Sequence, residues 1–164
     1  MTTSYTVLPS PIGRILLTAD EDGALTGLRM EPHDIDPGWI SAPGVFAEVT
    51  AQLTAYFAGE LREFDVAIAP RGTDFQQRVW AALREIPYGE TSTYGALAVK
   101  VGRPTAARAV GMANGRNPIS LIVPCHRVIG ANGKLVGFGG GVDRKRLLLD
   151  LESSGKPGSQ QALL

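Results

Sequence analysis

The stretch IVPCHRVIG, residues 122–130, holds the only cysteine of the 164-residue chain. Cys125 stands behind Pro124 and is followed directly by His126 and Arg127. A thiol in apolar surroundings has a raised pKa and is inert, but a neighbouring base or positive charge turns it into a nucleophile. An unreactive core cysteine accounts for the apolar run and leaves the histidine unexplained. Side chains adjacent along an extended chain point to opposite faces. Cys125 and His126 can therefore cooperate only across a bend at the cysteine or through a bridging water. Glu152, at the end of the run DRKRLLLDLES, could orient the imidazole, although taken alone it reads as a solvated helix position. The residues by themselves leave both readings of Cys125 open, nucleophile or plain core.

Composition removes several other chemistries. One cysteine excludes an intramolecular disulfide framework and a Cys-rich zinc site. With only His33 and His126 as histidines, no metal centre is expected. The glycine-rich run GFGGG at 137–141 lacks the spacing of a phosphate or dinucleotide fingerprint; its glycines suit close approach of backbone to a ligand. The N-terminus, MTTSYTV, shows no basic segment followed by an apolar one, and no apolar run reaches membrane-spanning length. A soluble cytoplasmic protein that meets no membrane is expected. The net charge of zero hides a division: residues 1–70 carry 3 Lys+Arg against 10 Asp+Glu, a net of −7, and residues 71–164 carry 13 against 6, a net of +7. Either the basic half meets a polyanion or the two halves attract each other.

The elements that must position these residues follow from periodicity. SYTVLPS, GRILLTA and ALTGLRM read as short strands separated by turn signals at 9–13 and 21–23. A Pro- and Asp-rich loop (31–44) leads to a helix in which Val45, Val49, Leu53, Tyr56 and Phe57 form the apolar stripe and Gly59 is the stop. REFDVAIA is expected to return as a strand with Phe64, Val66 and Ile68 on one face. PRGT (70–73) marks the boundary. Beyond it, Thr73 or Asp74 caps a helix with Phe75, Val79, Trp80 and Leu83 inward, ended by Pro87. TYGALAVKVG is a second helix, and PTAARAVGMANG a third with Pro104 near its first turn; helix, short turn, helix outlines a helix-turn-helix. Ala106, Ala107, Ala109, Gly111 and Ala113 leave the third helix nearly bare around Arg108. Such a surface suits close packing in a core or in a nucleic-acid groove, and the isolated guanidinium favours the groove. Ile119–Val123 reads as a buried strand, Asn117-Pro118 and Asn132-Gly133 as turns, and the last helix has Asp143 as cap and Leu147, Leu148 and Leu151 for packing.

PCHRVIG, preceded by RAVGMANGRNPI and followed by GKLVGFGGG, resembles the methylated-DNA–protein-cysteine methyltransferases, the O6-alkylguanine-DNA alkyltransferase family. The likeness is close over about residues 73–152 and looser through the N-terminal part, and the short zinc-free chain is most similar to the stand-alone bacterial form. It implies an α+β protein: a small ribonuclease-H-like α/β domain (1–70), a mainly helical, winged-helix-like C-terminal domain (71–155) with the helix-turn-helix, and a flexible tail (156–164). It implies single-turnover repair, in which the alkyl group of O6-alkylguanine, and potentially O4-alkylthymine, passes irreversibly to Cys125 without a cofactor. His126 then matches the base, Glu152 the carboxylate that orients it, Asn117 the brace of the cysteine turn, and Tyr94 the hydroxyl that assists departure of guanine. Arg108 matches the arginine that replaces the flipped nucleotide. Tyr94, Gln76, Gly95, Arg103, Ala106, Ala107 and Gly111 fall on DNA contacts, and Val128, Phe138, Gly139 and Ser120 on the pocket. At Phe138 the family usually has tyrosine, and Ser120 occupies a variable position, so alkyl-group range stays open. The implied partner is double-stranded DNA carrying O6-alkylguanine, met by a monomer. The chemistry is coherent: a buried alkyl group needs base flipping, displacement at carbon needs a thiolate, and the leaving base needs a proton. A cysteine hydrolase and a non-catalytic lesion binder are the rivals; the first needs an oxyanion site, and the second typically carries tryptophan in place of the thiol.

Overall fold

The computed structural model describes residues 2–135 and 141–154. The chain divides into two compact units, Met1–Arg71 and Gly72 onward. The first unit is a four-stranded sheet with a helix. Strands β1 (Ser4–Leu8), β2 (Ile15–Ala19) and β3 (Leu25–Met30) form an antiparallel meander, and the two-residue β4 (Ile40–Ser41) adds to β1 in parallel, giving the order β3-β2-β1-β4. All five residues of β2 are buried, which is why ILLTA is a continuous run rather than an alternating one.

Helix α1 (Ala47–Phe57) is preceded by a 3-10 turn, Pro43–Phe46. That turn shifts the inward stripe from its expected start. Phe46 is buried, while Val45 is 47% exposed, because a tighter turn advances each side chain by more than the α-helical step. Gly59 closes the helix at φ +78°, a conformation that disfavours any side chain. The strand expected over 62–69 does not form beyond one bridge, Leu25 to Ile68. Its backbone is taken by a helix side chain instead: Gln52 Nε2 donates to the Asp65 carbonyl and Asp65 N–H donates to Gln52 Oε1.

The second unit is mainly helical: α2 (Asp74–Leu83), β5 (Ser92–Thr93), α3 (Tyr94–Lys100), α4 (Ala107–Gly115), β6 (Val128–Ile129) and α5 (Val142–Ser154). Small sheet and helices together make the protein α+β. Thr73 caps α2 in a capping box with Gln76, and Thr73 rather than Asp74 is the N-cap. Thr93 caps α3. Gly72 is required for a steric reason: a Cβ there would run into the Trp80 ring. Trp80 in turn donates from Nε1 to the Ala113 carbonyl (2.9 Å), fastening α2 to α4. Pro104 falls in the turn before α4, not in the helix itself.

Ile119–Val123 is buried but is not a strand. It folds back on itself, with Val123 N–H donating to the Ile119 carbonyl and Leu121 held at φ +73°. A short apolar run cannot by itself distinguish a strand from a buried turn. Asn132-Gly133 does form a turn, closed by Gly133 N–H to the Gly130 carbonyl. The expected Asp143 cap lies within the first turn of α5 instead.

Candidate active site

Cys125 opens a 3-10 turn, Cys125–Arg127, that leads straight into β6. This is the bend that the adjacent thiol and imidazole require, since it sets successive side chains about 120° apart instead of opposed. Asn117 holds the approach to the turn. Its Nδ2 donates to the Val123 carbonyl (2.7 Å), and its Oδ1 accepts from Ile119 N–H (3.0 Å). Asn114, buried on the inner face of α4, reaches the Cys125 carbonyl at 3.5 Å.

His126 is 0% exposed and Glu152, on α5, is 1% exposed. His126 Nε2 donates to Glu152 Oε2 at 2.6 Å. A carboxylate only accepts, so this bond places the imidazole proton on Nε2 and leaves the lone pair on Nδ1. Nδ1 is itself buried and has no hydrogen-bond partner among the described residues. The imidazole therefore does not bond the thiol directly.

Arg127 completes the cluster. Its Nε donates to Glu152 Oε1 (2.8 Å), Nη2 to Oε2 (3.0 Å) and Nη1 to the Ile86 carbonyl (2.7 Å), with the guanidinium over the Tyr88 ring at 5.8 Å. A two-pronged fork of this kind is the strong geometry for a buried carboxylate. Burial alone would raise the Glu152 pKa, but the hydrogen bond and charge of His126 and the fork of Arg127 hold it down at about 2. Burial pushes His126 the other way, below its ordinary value, so the imidazole is neutral near pH 7. The permanent charge of Arg127 is thus what keeps Glu152 ionised there.

Burial also pushes the Cys125 thiol up, against hydrogen bonds from Asn117 and Ser120 and the charge of Lys145. The resting sulfur is a protonated thiol. Tyr94, at the start of α3, is raised too, by burial first and by the nearby Cys125 second. Its hydroxyl keeps its proton at neutral pH and is a donor.

The structure brings Cys125, His126, Glu152, Asn117, Ser120 and Tyr94 into one cluster. Val128, fully buried, follows the turn and accepts from Lys145 Nζ. Phe138 and Gly139 lie outside the described residues. Arg108 projects from α4 into solvent, while Ala106 is the N-cap of that helix and Ala107 its first residue. Gly111 packs beneath Tyr94, where a Cβ would still find ordinary contact at 3.7 Å. Gly95 faces open space. The Gln76 Oε1 is engaged by Thr73 N–H, and Arg103 lies over the Phe75 ring at 5.4 Å.

Two buried charges escaped the sequence reading, Arg127 and Lys145. A signal existed for each. Arg127 interrupts an apolar run and so must find a partner there. Lys145 lies seven residues before Glu152, and Leu148 falls between them, so all three share one helix face. That face is the buried one, and the expected Leu147 is 40% exposed in its place.

What emerges is a class of protein: a helix-turn-helix module with a nucleophile built into its core. Residues 74–154 match the family model described as the DNA-binding domain of 6-O-methylguanine DNA methyltransferase, and residues 3–70 match its ribonuclease-like domain. The chain belongs to that family. A methylated-DNA–protein-cysteine methyltransferase of Mycobacterium tuberculosis is 58% identical over 156 residues, covering 93% of this chain and 94% of that one. One from Methanosarcina acetivorans is 55% identical over 153 residues, covering 92% and 98%. A crystal structure of the M. tuberculosis O6-methylguanine methyltransferase superposes with a TM-score of 0.89 at 54% identity, over 99% of this chain and 100% of that chain. The M. tuberculosis protein in complex with DNA gives 0.88 at 56% identity, over 98% and 99%. No helix among the described residues is long and apolar enough to cross a membrane.

Proposed function

We propose that this protein repairs O6-alkylguanine in DNA by moving the alkyl group onto Sγ of Cys125. The observation that carries this reading is the buried Nδ1 of His126, unpartnered among the described residues, in the turn that begins with the chain's one thiol. A buried lone pair without a donor is costly, and a base poised to receive a proton explains it. In the step itself, the thiol proton passes to His126 Nδ1, through water where the gap requires it. The sulfur attacks the alkyl carbon, the new S–C bond forms, and the bond from that carbon to O6 breaks with its electron pair going to the base. Tyr94 gives the departing guanine a proton and regains one from the imidazolium, so the thiol proton ends on the base. Glu152 stabilises the transient imidazolium, and Arg127 stops that carboxylate from taking the proton itself. The thioether has no ready leaving path, so each molecule acts once.

In this reading Arg108 fills the place of the flipped nucleotide. Tyr94, Gln76, Gly95, Arg103, Ala106, Ala107 and Gly111 line the DNA side, and Val128, Phe138, Gly139 and Ser120 line the alkyl pocket. The protein works as a cytoplasmic monomer on duplex DNA without a cofactor, with alkylthymine a secondary substrate. Incubation with a duplex carrying O6-methylguanine, followed by intact mass, tests the reading. A single permanent methyl on the protein, absent in Cys125→Ala, is expected. Turnover without a mass gain points to a hydrolase, and DNA binding without either points to a lesion binder.

A further inference from the structure

The outward face of α4 holds more than Arg108. Its inner face is fixed by Val110, Ala113 and Asn114, all buried, and by the Trp80 bond to the Ala113 carbonyl. Opposite them, the exposed residues are Arg108, Ala109, Met112, Gly115 and Arg116. At 100° per residue Met112 falls between the two arginines, in the middle of that face, and it is 57% exposed. No acidic residue occurs in the helix. A lone exposed methionine is ordinary; this one is centred on the basic face, with residues of little or no side chain beside it. Nothing among the described residues demands Gly111 or Gly115, since a Cβ at Gly115 meets nothing within 4 Å and one at Gly111 meets only ordinary contact. Gly111 lies inside the helix, where glycine costs about 1 kcal/mol against alanine, so the space cleared there serves something outside.

We propose that Met112 is an apolar wedge that enters the DNA minor groove beside Arg108. The proposal rests on the repair reading, in which α4 is the helix that meets the duplex. Apolar side chains, methionine among them, hold grooves open by lying against unstacked base steps and sugars. The partner is a polyanion, as the guanidiniums on either side of the methionine require. Residues 108 and 112 are one turn apart, about 6 Å along the axis, against about 3.4 Å for a base step. They are close enough to share one groove and too far apart to fill the same gap. Arg108 then takes the vacated stack while Met112 supports the neighbouring step, so Met112 acts only on substrate held in a duplex.

The test compares methyl uptake by Cys125 from methylated duplex and from free O6-methylguanine base, in the unsubstituted chain and in Met112→Ala, Met112→Gln and Arg108→Ala. The expected result for Met112→Ala is a fall in the duplex-to-base rate ratio of about fivefold to tenfold, matched by Met112→Gln, which keeps the length and loses the apolar character. A second readout is the sulfoxide formed at Met112 under peroxide, which excess unmodified duplex should suppress. An unchanged ratio in Met112→Ala, or oxidation as fast with DNA as without, overturns the wedge. So does a concentration-dependent sedimentation change in the variants, which would assign this face to a second copy of the chain. Failure of the unsubstituted chain to gain a methyl would instead sink the repair reading, and an effect of Arg108→Ala without one of Met112→Ala would sink the wedge alone.

Discussion

Replacing Glu152 by glutamine changes one atom and should disable the centre of the molecule. The carboxylate accepts hydrogen bonds from Arg127 Nε at 2.8 Å, Arg127 Nη2 at 3.0 Å and His126 Nε2 at 2.6 Å. An amide can accept only at its oxygen. With that oxygen toward His126, the NH2 group faces Arg127 Nε, donor against donor. With it toward Arg127 Nε, the NH2 group faces both Nη2 and His126 Nε2, which drives the imidazole proton to Nδ1 and removes the lone pair that the proposed mechanism assigns to the thiol proton. In both orientations the buried guanidinium loses its counter-charge. Removing one partner of a buried ion pair costs about 3–5 kcal/mol, which corresponds to a melting point lowered by roughly 10 °C or more. Loss of base assistance slows chemistry by about 100-fold or more. The assays are thermal melting, single-turnover methyl uptake from duplex, and nitrogen NMR of the His126 ring to locate its proton. A Glu152→Gln protein that melts within about 2 °C of the parent and repairs at the same rate would refute the account, because a change that small is worth less than about 1 kcal/mol.

Stability should fall in two steps on acidification. Burial holds the His126 pKa below its ordinary 6.5, so the unfolded chain binds that proton first and stability declines as the pH drops below about 6.5. Glu152, held at about 2 against an ordinary 4.5, contributes about 3 kcal/mol above pH 4.5 that is lost as the pH falls from there through 2. Denaturant melts between pH 7 and 3 test both steps, and a flat profile contradicts them. The spent protein should melt lower than the free one. Cys125 is buried and hydrogen-bonded by Asn117 and Ser120, so a methyl on its sulfur costs about 1–3 kcal/mol of overpacking and severs those bonds. An unchanged melting point after one equivalent of methylated duplex would dismiss that packing argument.

Much of the site was legible in sequence because its parts lie close together in the chain or at helical spacing. PCHR places thiol, imidazole and guanidinium in consecutive positions, and the alanine-rich segment around Arg108 declares an uncluttered helix. A cap at Thr73 or Asp74, the stop at Gly59 and the first three strands also follow from local preference alone. Three features depended on side-chain partners that composition and periodicity do not reveal. Ile119–Val123 looks like a strand by composition, and it turns back because the Asn117 side chain clips Val123 and takes the Ile119 amide. Residues 62–69 have the alternation of a strand, and Gln52 on α1 claims the Asp65 backbone before a ladder can extend.

The burial of Arg127 and Lys145 was likewise decided only by folding. A charge leaves water only where its hydrogen bonds are replaced, and the replacements here are Glu152 and the carbonyls of Ile86 and Val128. The sequence by itself supplied a thiol, an imidazole and a carboxylate and left open whether the thiol reacts. Tertiary structure decided which of them are charged, because protonation at Cys125, His126 and Glu152 depends on what burial removes and on which distant side chains replace it.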